Sequence, residues 1–217
     1  MAARRSRTAA LLQRAESTPG FFPIDEALAL FALARRAARI GPVVEIGSYL
    51  GRSTLFLAAA VAAEGSGVVF TVDHHRGSEE MQRGWPDHDP SLLDSATGMM
   101  DSLRRFRCGL KAADADDFIV SVVGESCDVA RLWNTNAGLV VIDGGHGEHV
   151  CWSDYRGWAP RVAPGGFLAF HDVFSDPEEG GRPPFDCFCD AVSSGRFVED
   201  AGAGQGSLRV LIAKVVS

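Results

Sequence analysis

The sequence predicts an α/β fold: a doubly wound, mostly parallel seven-stranded sheet that finishes in a C-terminal antiparallel hairpin. Three observations carry that prediction. Short apolar runs of strand length alternate with helix-competent segments through most of the chain. The first run ends in a Gly-x-x-x-Gly turn that leads directly into a helix pattern. The last two runs are joined only by a glycine-rich turn, which reads as a hairpin.

The elements follow in order. Residues 24–40 carry apolar side chains at Leu28, Leu30, Phe31, Leu33 and Ala34, a helical pattern. Asp25 and Glu26 sit in its first turn, where negative charge suits the helix dipole, and Gly41-Pro42 stops it. The first strand, VVEIG (43–47), then passes through the glycine turn into a helix over 53–63. A second strand, VVFTVD (68–73), follows a Gly-Ser-Gly turn and ends on an acid. Residues 74–91 are polar and turn-rich, and 92–113 look helical.

FIVSVVG (118–124) is the third strand, and a short helix over 126–133 leads to the fourth, GLVVIDGG (138–145). The next helix offers Val150, Tyr155, Trp158 and Val162 to the core. Pro164-Gly165-Gly166 turns into the fifth strand, FLAFHD (167–172). A Gly/Pro-rich loop (175–184), a short helix (186–192) and the runs FVEDAG (197–202) and SLRVLIAKVV (207–216) complete the chain. Strands alternating with helices make this architecture Rossmann-like, and the closing hairpin separates it from ordinary dinucleotide-binding folds.

The 217 residues suit one domain, with 1–23 as a frayed or helical N-terminal extension and 74–117 as an insertion or lid. Hydrophobic residues at 46% and charged residues at 23% exclude a disordered chain. A net charge of −7 argues against nucleic acid or an anionic membrane as the main partner. No apolar stretch is long enough for a membrane helix, and residues 1–14 lack the apolar segment of a secretory signal. Five cysteines without a CxxC pair or a zinc-ligand spacing read as reduced, mostly packed thiols. These features point to a cytoplasmic location.

The glycine turn is the first sign of chemistry. Gly47 and Gly51 let the backbone pass close to a ligand, and the helix after them offers free amides. The spacing lacks the third glycine of the G-x-G-x-x-G fingerprint for nicotinamide dinucleotides. Asp73 ends the second strand, 26 residues after Gly47, where a carboxylate can accept from both hydroxyls of a ribose. Asp143, His146, His171 and Asp172 fall at or just past the ends of two further strands, where ligands bind in open α/β sheets.

The strings EIGSYLGRST, TVD and VIDGGHGEHV, followed by DYRGWAPRVAPGGFLAFHD, resemble the class I S-adenosylmethionine-dependent methyltransferases. The likeness is greatest to the small-molecule O-methyltransferase branch that includes the macrocin and catechol O-methyltransferases. It covers residues 24–174 and the terminal hairpin, while 76–117 and 175–195 match no part of it. The resemblance implies that Glu45, Gly47 and Ser48 hold the methionine part of the cofactor. Asp73 would bind the ribose, Glu125 and Ser126 would border the adenine, and Asp143 would face the methyl-transfer site. Gly51, Ser53 and His74 complete the expected cofactor set.

The same resemblance implies a divalent cation on Asp143, His171 and Asp172, and a catalytic base at His146. An imidazole at 171 disfavours magnesium, which prefers oxygen ligands, relative to manganese or zinc. A metal-free site in which His171 donates to the acceptor or holds structure is the other reading. The polar segments 76–80 and 84–90, with Trp85 among them, form either an acceptor-binding lid, a surface excursion or an oligomer contact. The expected reaction is methylation of a hydroxyl on a small molecule, a sugar or secondary metabolite, by a protein that could be a homo-oligomer. Two alternatives stand beside it: a nucleotide-cofactor oxidoreductase, and a non-catalytic protein with a vestigial pocket.

Overall fold

A computed structural model describes residues 2–176 and 178–215; the end of the last predicted run, Val216, lies outside the described residues. Among these residues seven strands form one sheet: β1 (Val43–Ile46), β2 (Val69–Asp73), β3 (Ile119–Val123), β4 (Ala137–Ile142), β5 (Val162–Phe170), β6 (Phe197–Glu199) and β7 (Arg209–Ala213). Their order is β3-β2-β1-β4-β5-β7-β6. The first five run parallel, and β7 inserts antiparallel between β5 and β6. This is the predicted fold class. The order reverses between β1 and β4, so a crevice opens at their carboxyl ends.

Among the described residues seven helices cover the two faces: α1 (Ala2–Ser17), α2 (Ile24–Ala37), α3 (Arg52–Glu64), α4 (Leu103–Ala112), α5 (Ser126–Leu132), α6 (Glu148–Trp158) and α7 (Arg182–Ser193). Alternation along β1 sorts them. Val43 joins the core beneath α1 to α4, whereas Val44 and Ile46 join the core beneath α5 to α7. The N-terminal stretch is not frayed. Leu11 and Ala15 of α1 are fully buried against α3, and Arg52 donates to the carbonyls of Glu16, Thr18 and Phe22.

Several local expectations change. The helix expected over 92–113 shrinks to α4, because Asp94 accepts from the Ala96 and Thr97 amides and Gly98 adopts a left-handed φ of 69°. Leu93 and Met100 pair across that turn instead. Pro164-Gly165-Gly166 lies inside β5 as an irregularity: Val162 opposes Ala137 and Phe167 opposes Leu139, so four β5 residues face one on β4. Helix α7 starts early, with Pro183 and Pro184 in its first turn, where a missing amide hydrogen costs nothing. Leu28 and Val150 are exposed, whereas Tyr155, Trp158 and Val162 are core as expected. The five cysteines are free thiols, but only Cys151 and Cys187 are buried. Among the described residues no helix is long and apolar enough to cross a membrane.

Candidate active site

A cleft of about 330 Å³ opens at the sheet's reversal point. Its floor is the turn after β1. Gly47 holds φ at 85°, and a Cβ there would collide with the Asp143 carbonyl, so no other residue lets β1 and β4 end this close together. Gly47, Ser48, Ser53, Asp73, His74, Glu125, Ser126, Asp143, His146 and Asp172 line the cleft. Gly51, Glu45 and His171 do not. Gly51 caps α3 with φ at 92°, facing Phe106.

Asp73 is occupied by its own protein. Its Oδ2 accepts from the Ser48 amide at 2.9 Å, the Ser48 hydroxyl at 3.1 Å and the Tyr49 amide at 3.0 Å. Its Oδ1 accepts from the His75 amide at 2.6 Å. Burial works against the charge, yet His75 and these amides hold the carboxyl below its ordinary value. Only Oδ1 keeps acceptor capacity for a ligand. The expectation of a carboxylate free to take two hydroxyls is corrected to one that ties β2 to the glycine turn first.

Glu45 points the other way. It is fully buried beneath α3, with Oε2 accepting from the Thr54 hydroxyl at 2.6 Å and Oε1 without a partner. Burial pushes its pKa up to about 7. In the unfolded chain the value is near 4.3. Between those values the folded state binds the extra proton, so this group's contribution falls as pH rises through 7. A shift of that size amounts to roughly 3–4 kcal/mol. Glu45→Gln is expected to flatten the pH dependence of the urea midpoint above pH ~5, relative to wild type. Parallel slopes in the two proteins would show that Glu45 is not the group responsible.

The opposite wall is a chain of alternating charge. Glu26 on α2 places Oε2 2.9 Å from His171 Nε2. His171 Nδ1 lies 2.8 Å from Asp143 Oδ1 and 3.2 Å from Asp172 Oδ2. Asp172 Oδ2 lies 3.0 Å from His146 Nε2, and His146 Nδ1 lies 3.1 Å from Glu80 Oε1. Asp172 reaches both histidines from a left-handed backbone, φ 55°, strain of the kind that gathers at functional sites. The His171 ring is buried and stacked on Phe22 at 3.9 Å.

These neighbours set the protonation states. Burial opposes charge on His171, but Asp143, Asp172 and Glu26 raise its pKa to about 12. Asp172 and Glu80 raise His146 to about 10. The ordinary histidine value near 6.5 does not survive two carboxylate contacts. Asp172 itself is lowered by the two histidines, whereas burial keeps Asp143 raised.

Asp143, His171 and Asp172 bring one ligand atom each within 4.8 Å of one another. Both His171 nitrogens are buried without an aligned hydrogen bond, because the nearby carboxylate oxygens stand off the N–H directions. The donor set fits a divalent ion that displaces a proton from His171: Nδ1 and the two aspartates would be its ligands, with Glu26 behind Nε2 as the orienting carboxylate.

Residues outside the expected set also build the cleft. Phe21 and Phe22 come from the N-terminal stretch, and Ser78, Glu80, Met81 and Met100 come from 74–117. Glu26 was legible in part: it falls on the buried stripe Glu26, Leu30, Leu33, Ala37, a carboxylate where spacing calls for an apolar residue. Nothing in the sequence pairs Glu80 with His146, which lies 66 residues away.

A family model described as a methyltransferase domain matches residues 44–173. Solved structures share the fold at low identity. The O-methyltransferase NovP is 14% identical, with 88% of this chain and 81% of that one covered and a TM-score of 0.68. An O-methyltransferase from Bacillus cereus, in complex with SAH, is 16% identical over 96% of this chain and 91% of its own, TM-score 0.61. TomG from Streptomyces achromogenes, an O-methyltransferase involved in tomaymycin synthesis and solved with SAM, is 16% identical over 98% and 90%, TM-score 0.60.

Proposed function

The chain belongs to the methyltransferase-domain family, and from that premise we propose that it moves the methyl group of S-adenosylmethionine to a hydroxyl of a small molecule, a sugar or secondary metabolite. One observation carries the reading: a single cleft joins the Gly47 turn and Asp73 to the His146–Asp172 pair. A cofactor end and a proton-accepting end thus face one space. The dinucleotide alternative loses ground because its third glycine is missing.

When bound, S-adenosylmethionine would supply a sulfonium-activated methyl group, the thioether being the leaving group as the acceptor oxygen takes the methyl. The chain's residues align the acceptor, keep water out and take its proton. Neutral His146 is the proton acceptor in this reading, and Asp172 steadies the imidazolium that results. Phe21, Phe22, Met81 and Met100 give the cleft apolar walls. Asp143, His171 and Asp172 would hold a divalent ion, whose charge would favour the alkoxide form of the acceptor.

Calorimetry with S-adenosylhomocysteine tests the cofactor assignment. Micromolar binding is expected, with none for NAD. Asp73→Asn should weaken binding by roughly 30-fold or more, since either amide orientation sets an NH2 against a backbone N–H in the turn. Unchanged affinity would remove Asp73 from the site, and NAD binding would overturn the assignment.

A further inference from the structure

Asp154 is a carboxylate that neither the fold nor the charge chain uses. It sits on α6 among Cys151, Tyr155 and Trp158, the residues that face the core, and is only 3% exposed. No cation pairs with it among the described residues. Its neighbours are the Ser126 hydroxyl, which hydrogen-bonds it, the like charge of Glu125 and the ring of His74. Ser126 is itself fixed, accepting from the Trp158 indole N–H at 2.8 Å. An isolated charge in an apolar stripe is costly unless something satisfies it.

What surface Asp154 keeps faces the cleft. It lines the cleft together with Glu125, Ser126, Cys127, Val150 and Ser153. Its Oδ2 also reaches the end of β4: a Cβ on Gly144 would come within 2.8 Å of it, so only glycine leaves the carboxylate its place. The result is a buried acceptor that lines the cleft and is short of donors.

We propose that Asp154 is the base-reading residue of this cleft, accepting a hydrogen bond from the exocyclic 6-amino group of a bound purine. The assignment rests on the methyltransferase reading, whose cofactor carries adenine. A 6-oxo purine would set oxygen against oxygen here, so the site selects adenine over hypoxanthine by repulsion as well as attraction. Burial pushes the Asp154 pKa up to about 6, as expected for a carboxylate awaiting a donor.

The test pairs S-adenosylhomocysteine with S-inosylhomocysteine, and adenosine with inosine, in calorimetric titrations of the wild type, Asp154→Asn and Asp154→Ala. The wild type should prefer the amino member of each pair by roughly 10- to 100-fold. Asp154→Asn, whose amide can donate to a 6-oxo group, should lose or invert that preference, a change that simple loss of packing would not produce. Asp154→Ala should bind both members alike, and serves if the asparagine protein does not fold. Equal binding of both members by the wild type overturns the proposal, as does a folded variant that keeps the wild-type preference. A wild type that binds adenosine over inosine but neither homocysteine compound refutes the cofactor reading and leaves Asp154 supported. Binding of none of the four overturns both.

Discussion

His146→Ala is expected to lower kcat by about 10² to 10⁴, the usual share of general-base catalysis, while S-adenosylhomocysteine affinity stays nearly unchanged. The pH profile makes the test specific. His146 must be neutral to accept a proton, and Asp172 and Glu80 hold its pKa near 10. The wild-type rate should therefore climb close to tenfold per unit over roughly pH 7 to 9, and the variant should lose that climb. Glu80→Gln removes one of the two carboxylates and should move the profile at least about one unit lower, raising the rate at neutral pH. A cation on Asp172 would shift it the same way. His149, exposed at the cleft margin, serves as the control and should tolerate alanine. A His146→Ala enzyme within a few-fold of wild type, with the same profile, would assign the base elsewhere, His171 first.

Removing His171 should have the largest effect on stability. Its ring holds three carboxylates, Glu26, Asp143 and Asp172, within 3.2 Å, and stacks on Phe22. His171→Ala leaves those charges without their cation, and losing one partner of a buried pair costs about 3–5 kcal/mol. The sign of the pH dependence should change as well. In the wild type, the depressed values of Glu26 and Asp172 give stability that is lost as pH falls through them. Without the imidazolium these carboxylates rise above their ordinary values, so the variant should become less stable as pH rises. Manganese should raise the wild-type melting temperature by binding the folded state, and this gain should vanish in His171→Ala. A variant that melts with the wild type at neutral pH would show that the cluster does not hold the site together. A wild type indifferent to manganese would leave His171 as the only cation there.

Much of this molecule was legible along the chain. Strand length, apolar runs and glycine turns placed all seven strands, and the hairpin followed from the short connection between the last two. Those signals are local, arising from backbone conformation and from which face of an element meets the core. The same local signals put Gly47, Ser48, Asp73 and Asp143 at strand ends, and hence in one cleft. They failed where a side chain's neighbour decides the outcome. The run 92–113 has helical composition, but the Asp94 turn competed successfully for its first half.

The sequence by itself determined the sheet, its crevice and the residue types that border it. Tertiary structure alone decided which way each side chain faces and what charge it carries. Glu45 and Ile46 are neighbours on one strand, yet the alternation of β1 sends Glu45 beneath α3 and leaves Ile46 on the cleft wall. Asp73 spends most of its acceptors on the turn, because β1 and β2 end side by side. His171 is held protonated chiefly by Asp143 and Asp172, and His146 chiefly by Asp172; Glu26 from α2 and Glu80 from segment 79–81 add to this from distant parts of the chain. A pKa is set by charges and burial within a few ångströms, and sequence spacing does not fix those distances.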